Sequence, residues 1–146
     1  RQFTLVDLPG YGFARVSRDE KARWQGMIEG YLSQSEDLKH ALALVDIRHE
    51  PSADDQAMVE YMRHYGIEFT VVATKADKLS RAQVSRSVQA ICRALQVQPW
   101  EVIPVSAQNR QGLDKMCDRI GDVLEQAENT ADAVQQDELT DDCQDE

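Results

Sequence analysis

Three short polar loops, each following an apolar run, carry residues whose types and spacing can do chemistry. The first is Asp7-Leu8-Pro9-Gly10, directly after Phe3-Thr4-Leu5-Val6. A carboxylate in that position reaches Mg²⁺ through water, because the ion keeps part of its hydration shell. A glycine three residues on brings a bare backbone N–H close to a terminal phosphate. The same residues also suit an ordinary strand-to-loop turn closed by an Asx bond. The second loop is Thr74-Lys75-Ala76-Asp77, after Phe69-Thr70-Val71-Val72-Ala73. The Asp77 carboxylate can accept from both N1–H and the 2-amino group of guanine; adenine offers neither donor, and an unpaired charge there discriminates against it. The aliphatic stem of Lys75 can lie along the base plane. The third is Val105-Ser106-Ala107, closing the run Val102-Ile103-Pro104-Val105. There the Ala107 N–H can donate to guanine O6 while Ser106 braces the loop. Each loop taken alone has a bland explanation, a turn or a surface ion pair. Together and in this order they point to guanine recognition.

Such loops need a scaffold that brings them to one edge, and the apolar patterning supplies it. Four short runs rich in Val, Ile and Leu, at Phe3–Val6, Ala41–Ile47, Ile67–Ala73 and Val102–Val105, suit buried parallel strands. Four amphipathic helices alternate with them. In the first, Trp24, Met27, Ile28, Tyr31 and Leu32 share one face, with Ser17 as N-cap; Trp24 there suits core rather than a stacking platform. The second starts at Ser52, with Asp55 three residues on, buries Met58, Tyr61, Met62 and Tyr65, and stops at Gly66. The third starts at Ser80 with Gln83 in the capping-box position and turns Val84, Val88, Ile91 and Leu95 inward. The fourth runs from about Gln111 to Ala127 on Leu113, Met116, Ile120 and Leu124. Alternation of this kind predicts an α/β fold with a parallel sheet and right-handed crossovers. Ligands of such sheets bind beyond the carboxyl ends of the strands, where all three loops fall.

Composition narrows the class. The formal charge of −10 on 146 residues is concentrated at the end of the chain. Residues 128–146 hold eight Asp or Glu and no Lys or Arg, which predicts a folded portion over 1–127 and an acidic, disordered tail over 128–146. No run is apolar enough to span a bilayer. Cys92, Cys117 and Cys143 are odd in number and widely spaced, which favours reduced thiols in a cytoplasmic protein over a disulfide framework. Nothing in the sequence indicates an oligomer. Arg15, Arg18, Lys21 and Arg23 cluster after the first loop, where they suit nucleic-acid phosphates or a solvated helix face. His49, between Arg48 and Glu50, has no nearby His or Cys partner and suits loop shaping better than catalysis.

The runs Asp7-Leu8-Pro9-Gly10-Tyr11-Gly12-Phe13-Ala14, Val45-Asp46-Ile47-Arg48-His49-Glu50-Pro51 and Thr74-Lys75-Ala76-Asp77-Lys78 carry a family resemblance. From Phe3 to about Ala127 the sequence resembles translation-factor-type (TRAFAC) GTPases, and among them the bacterial ribosome-assembly GTPases of the EngB (YihA/YsxC) type. The resemblance implies a three-layer, P-loop NTPase-like G domain with a mostly parallel sheet. It implies GTP or GDP as ligand with Mg²⁺, Asp7 meeting the ion through water, and the large ribosomal subunit or its rRNA as partner, with a link to cell division and septation. The implied nucleotide-binding residues are Asp7, Leu8, Pro9, Gly10, Thr74, Lys75, Ala76, Asp77, Val105, Ser106 and Ala107. Thr74 stands where related GTPases carry Asn, and its single hydroxyl ties the loop less firmly than an amide. Tyr11 stands where Ras-like enzymes place the Gln that orients water, which implies slow hydrolysis until a partner or cation completes the site.

No stretch matches G-x-x-x-x-G-K-[ST], the loop that cradles the β- and γ-phosphates. The sequence is therefore expected to be the later part of a G domain, lacking its first strands and P-loop. In the fold that the resemblance implies, the absent strand would lie mid-sheet, so its loss should leave unpaired strand edges and exposed apolar faces. Two other readings stay open: another assembly or RNA-modification GTPase with the same motifs, and a non-catalytic interaction module without a phosphate loop.

Overall fold

A computed structural model describes residues 3–8, 26–33, 35 and 37–141, with side chains as far as residue 130. Three strands, β1 (Ala41–Asp46), β2 (Phe69–Thr74) and β3 (Val102–Pro104), form one parallel sheet in the order β1-β2-β3. The register pairs Ala41 with Phe69 and Asp46 with Thr74, then Val71 with Val102 and Ala73 with Pro104. It therefore sets the carboxyl ends of all three strands side by side.

The helices are α1 (described over 26–33), α2 (Ala53–His64), α3 (Arg81–Leu95) and α4 (Leu113–Asp141). Alternate strand residues face opposite layers, as strand geometry requires. Ala43, Val45, Val71, Ala73 and Val102 pack with Ile28 and Leu32 of α1, Val59 and Met62 of α2, and Ile91 and Leu95 of α3. Val72, Ile103 and Val105 form a smaller cluster with Leu42 and, from α4, Leu113 and Met116. Leu44 lies on the α4 side of β1 and is 61% exposed. The α4 layer thus covers β2, β3 and Leu42 of β1 and leaves Leu44 uncovered. The outer edge of β1 has no strand beside it among the described residues.

The capping box expected at Ser80 forms, and the N-cap expected at Ser52 forms as a capping box too. The Ser52 side chain accepts from the Asp55 N–H while the Asp55 carboxylate accepts from the Ser52 N–H, and Ser80 and Gln83 repeat the arrangement. Each pair satisfies two donors that a helix start otherwise leaves orphaned. Gly66 ends α2 in the left-handed region at φ +65°.

Four expectations need correction. Residues 3–6, read as a strand, have no regular structure, and Phe3, Leu5 and Val6 are exposed. A strand forms only where a neighbour completes its ladder, and among the described residues none lies beside this segment. In α2, Tyr65 is exposed and Val59 fills the core instead, because the buried stripe follows 59 and 62. In α1, Met27 is exposed while Ile28 and Leu32 are buried; Trp24 and Ser17 lie outside the described residues. The helix read as ending near Ala127 continues to Asp141. Half of residues 128–141 are Ala, Gln, Glu or Leu, which favour helix without needing a core.

Candidate functional site

The site is built where β2 and β3 end. The last ladder pair sets Asp46 beside Thr74, and beyond it the chain turns sharply. Lys75 adopts φ 63° and ψ 32°, a left-handed conformation uncommon outside glycine, before a short 3₁₀ turn over Ala76–Lys78. Three bonds fix this turn to its neighbours. The Thr74 hydroxyl donates to the Val45 carbonyl at 2.9 Å, the Ala76 N–H donates to the Val105 carbonyl at 3.0 Å, and the Val105 N–H donates to the Ala73 carbonyl at 2.8 Å. Thr74 thus spends its one hydroxyl on β1, tying the loop to the sheet.

Asp77 and Ser106 come together as expected. Ser106 is fully buried, and its hydroxyl donates to Asp77 Oδ1 at 2.6 Å. Ser106 Oγ also accepts from the Gln108 N–H at 3.1 Å and the Asn109 N–H at 3.4 Å, so one hydroxyl organises both loops. Lys78 Nζ lies 3.0 Å from Asp77 Oδ2 and donates to Gln108 Oε1 at 2.9 Å. The Ser106 bond and then the Lys78 charge hold the Asp77 carboxyl below its ordinary value. Each carboxylate oxygen accepts two hydrogen bonds. Ser106 engages one Asp77 oxygen and Lys78 the other. Ala107 is exposed, and its N–H donates to no protein group among the described residues. Asp77 is thus a fixed, ionised acceptor on the loop after β2, and the Ala107 N–H, on the loop after β3, is unengaged among the described residues.

The loop carrying Ser106 and Ala107 is closed tightly. The Ser106 N–H donates to the Gln111 carbonyl at 2.9 Å, and Asn109 Oδ1 accepts from the Gln111 N–H at 3.0 Å. Gly112 then sits at φ +75°, where a Cβ would lie 2.1 Å from the Pro104 carbonyl oxygen. Only glycine fits between this loop and β3.

A second carboxylate belongs to the site and was missed from sequence. Asp46, whose side chain is only 8% exposed, accepts from Arg48 Nε at 2.9 Å, Arg48 Nη2 at 2.6 Å and the Arg48 N–H at 3.1 Å. Lys75 Nζ adds a bond at 2.8 Å. The Arg48 bonds and then Lys75 hold its carboxyl far below the usual range despite partial burial. The lysine and aspartate of the base loop are therefore not paired with each other: Lys75 goes to Asp46 and Lys78 to Asp77. The missed signal was an Asp ending an apolar run with Arg two residues on. Lys78, Gln108 and Gly112 were also missed. His49 is exposed and donates its N–H to the Asp46 carbonyl at 3.1 Å, a turn contact.

Of the first loop only Asp7 and Leu8 are described, and among the described residues no hydrogen bond or ion pair joins them to this cluster. Asp7 is exposed, and Leu8 packs against the core from the irregular segment 3–8. Pro9, Gly10, Tyr11, Arg15, Arg18, Lys21 and Arg23 lie outside the described residues. Among the described residues no group of three His, Cys, Asp or Glu could hold a metal ion. Asp7, a single exposed carboxylate, fits a water-mediated contact to Mg²⁺ and not a cage of protein ligands.

Comparison with known proteins gives the family of the chain. Residues 25–126 match the family model described as the elongation factor Tu GTP binding domain. The chain is 44% identical over 120 residues to a probable GTP-binding protein EngB of Clostridioides difficile strain 630, covering 82% of this chain and 59% of that protein. It is 46% identical over 123 residues to another, of Syntrophomonas wolfei, covering 84% of this chain and 63% of that protein. The chain thus spans about three fifths of the length of these relatives. Among solved structures, a probable GTP-binding protein engB superposes with a TM-score of 0.74 at 20% identity, covering 82% of this chain and 75% of that one. Translation elongation factor SelB from Methanococcus maripaludis superposes with a TM-score of 0.64 at 25% identity, covering 84% of this chain and 25% of that one.

Proposed function

Since the chain belongs to the family of the elongation factor Tu GTP-binding domain and is homologous to EngB GTP-binding proteins, we propose that it supplies the guanine-recognition half of a GTPase. The observation that carries this reading is Asp77, ionised and fixed by Ser106 and Lys78 at the adjoining ends of β2 and β3. In this role Asp77 accepts N1–H and the 2-amino group, the Lys75 stem lies along the base, and the Ala107 N–H meets O6. Thr74, Ala76 and Val105 hold the loops that present them. Asp7, Leu8, Pro9 and Gly10 form the phosphate-sensing loop. Asp7 meets Mg²⁺ through water there, and the ion neutralises charge on the phosphates.

The likeness to EngB proteins, in the Asp-Leu-Pro-Gly-Tyr-Gly and Arg-His-x-Pro runs above all, supports a cytoplasmic role in assembly of the large ribosomal subunit, with consequences for division and septation. With Tyr11 in place of a water-orienting Gln, hydrolysis is slow until a partner completes the site. The 146 residues alone contain no phosphate cradle. Hydrogen bonds to charged groups contribute about 1.5–3 kcal/mol each. Three lost phosphate contacts therefore cost about 6 kcal/mol, roughly four orders of magnitude in affinity. The 146-residue polypeptide is then inactive by itself, and micromolar GTP binding to it by calorimetry would contradict that. The wider function is tested by sedimenting the longest polypeptide the gene encodes with ribosomal subunits. Co-sedimentation with the large subunit in the presence of a non-hydrolysable GTP analogue, and not of GDP or ATP, is expected. Equal recovery with all three, or none with any, would overturn the reading.

A further inference from the structure

Asp46 lies at the end of β1, one ladder step from the base loop, and its side chain is almost wholly buried. Arg48 grips it in a fork, Nε on one oxygen at 2.9 Å and Nη2 on the other at 2.6 Å. The Arg48 N–H adds a third bond at 3.1 Å. A carboxylate held this way has one orientation, because fork-to-carboxylate pairs fix geometry as well as charge. Its remaining partner is Lys75 Nζ at 2.8 Å. Lys75 is half exposed, its ammonium is anchored, and its backbone is set in the left-handed region.

We propose that Asp46 is a positioning residue for guanine-nucleotide binding, acting through Lys75: it anchors the ammonium so that the lysine stem is already laid out for the base. This rests on the guanine reading of the site and adds a residue to it. A free lysine side chain loses up to about 2 kcal/mol of rotamer freedom when it is fixed. A stem fixed during folding spares that loss at binding, which is how preorganisation raises affinity. An exposed ion pair contributes little of this kind, but here the acceptor is buried and clamped by Arg48. The turn Asp46–Arg48 thereby acquires a purpose: Arg48 aims Asp46, and Asp46 aims Lys75.

The test is a double-mutant cycle in the longest polypeptide the gene encodes, read by titration with N-methylanthraniloyl-GDP, with thermal unfolding as the check on folding. Asp46→Asn and Lys75→Met should each weaken binding about tenfold. Because both remove the same device, the double variant should be no weaker than the weaker single variant, to within about twofold. Arg48→Gln, which leaves Asp46 in place but frees it to rotate, should weaken binding about threefold, and only when Lys75 is present. A merely structural Asp46 would lower unfolding temperature without this dependence on Lys75. Unchanged affinity in Asp46→Asn, or losses that multiply in the double variant, would overturn the proposal. Failure of the unaltered protein to bind the fluorescent nucleotide would bring down the guanine reading and the positioning role together. That outcome is distinct from a binding protein indifferent to Asp46→Asn.

Discussion

Asp46 and Asp77 are both held ionised, by different partners and for different ends. Arg48 and Lys75 lower the Asp46 carboxyl, and Ser106 and Lys78 lower that of Asp77. A carboxyl whose folded value lies below its unfolded value stabilises the fold above the unfolded value, and loses that contribution as pH falls through the folded one. Both contributions are therefore complete above about pH 5 and fade below about pH 4. Asp46→Asn should cost about 1–2 kcal/mol at pH 7, since its cationic partners are partly solvated. It should also flatten the acid limb of stability, measured by urea unfolding between about pH 5 and pH 2. Parallel profiles for the variant and the unaltered chain would contradict the assignment. Ser106→Ala removes the donor to Asp77 and the acceptor for two N–H groups inside a fully buried position. A loss of about 2–3 kcal/mol in the same measurement is expected.

At the scale of elements, glycine separates two kinds of constraint. Gly66 and Gly112 both sit at positive φ, but a Cβ at Gly66 meets open space while one at Gly112 would meet the Pro104 carbonyl at 2.1 Å. Gly66→Ala should cost about 1–2 kcal/mol, the left-handed penalty alone. Gly112→Ala should cost more than about 3 kcal/mol, since backbone must also move. Equal losses by chemical denaturation would show that the loop yields easily. The elements themselves were largely legible in the sequence, because periodicity and caps are local signals. Ser52 with Asp55 and Ser80 with Gln83 formed as their spacing implied, and three of four apolar runs became strands. The run 3–6 did not, because a strand also needs a neighbour, which no local pattern encodes. The site was half legible for the same reason. Asp77 and Ser106 were found through loop chemistry at strand ends, whereas Asp46 to Lys75 and Gly112 to Pro104 are contacts between strands or across a loop, fixed only by register.

For the molecule as a whole, register is what makes a site from dispersed residues. Parallel pairing without slippage delivers Asp46, the 74–78 turn and the 105–107 loop to one edge of the sheet, while α1, α2 and α3 cover one face and α4 part of the other. No helix among the described residues is long and apolar enough to cross a membrane. The arrangement holds the groups proposed to read a base, and no G-x-x-x-x-G-K-[ST] match accompanies them in this sequence. The central claim is that Asp77 reads the guanine edge, and a swap of specificity tests it most directly. An Asn at that position offers N1–H an acceptor but sets a donor opposite the 2-position, which suits the carbonyl of xanthine and not the amine of guanine. In the longest polypeptide the gene encodes, bound fluorescent GDP should be displaced by GTP and not by ATP or xanthosine triphosphate. Asp77→Asn should bind the xanthosine nucleotide in preference to GTP. Displacement of the unaltered protein's ligand by ATP as readily as by GTP, or an Asp77→Asn variant that still prefers guanine, would contradict the account.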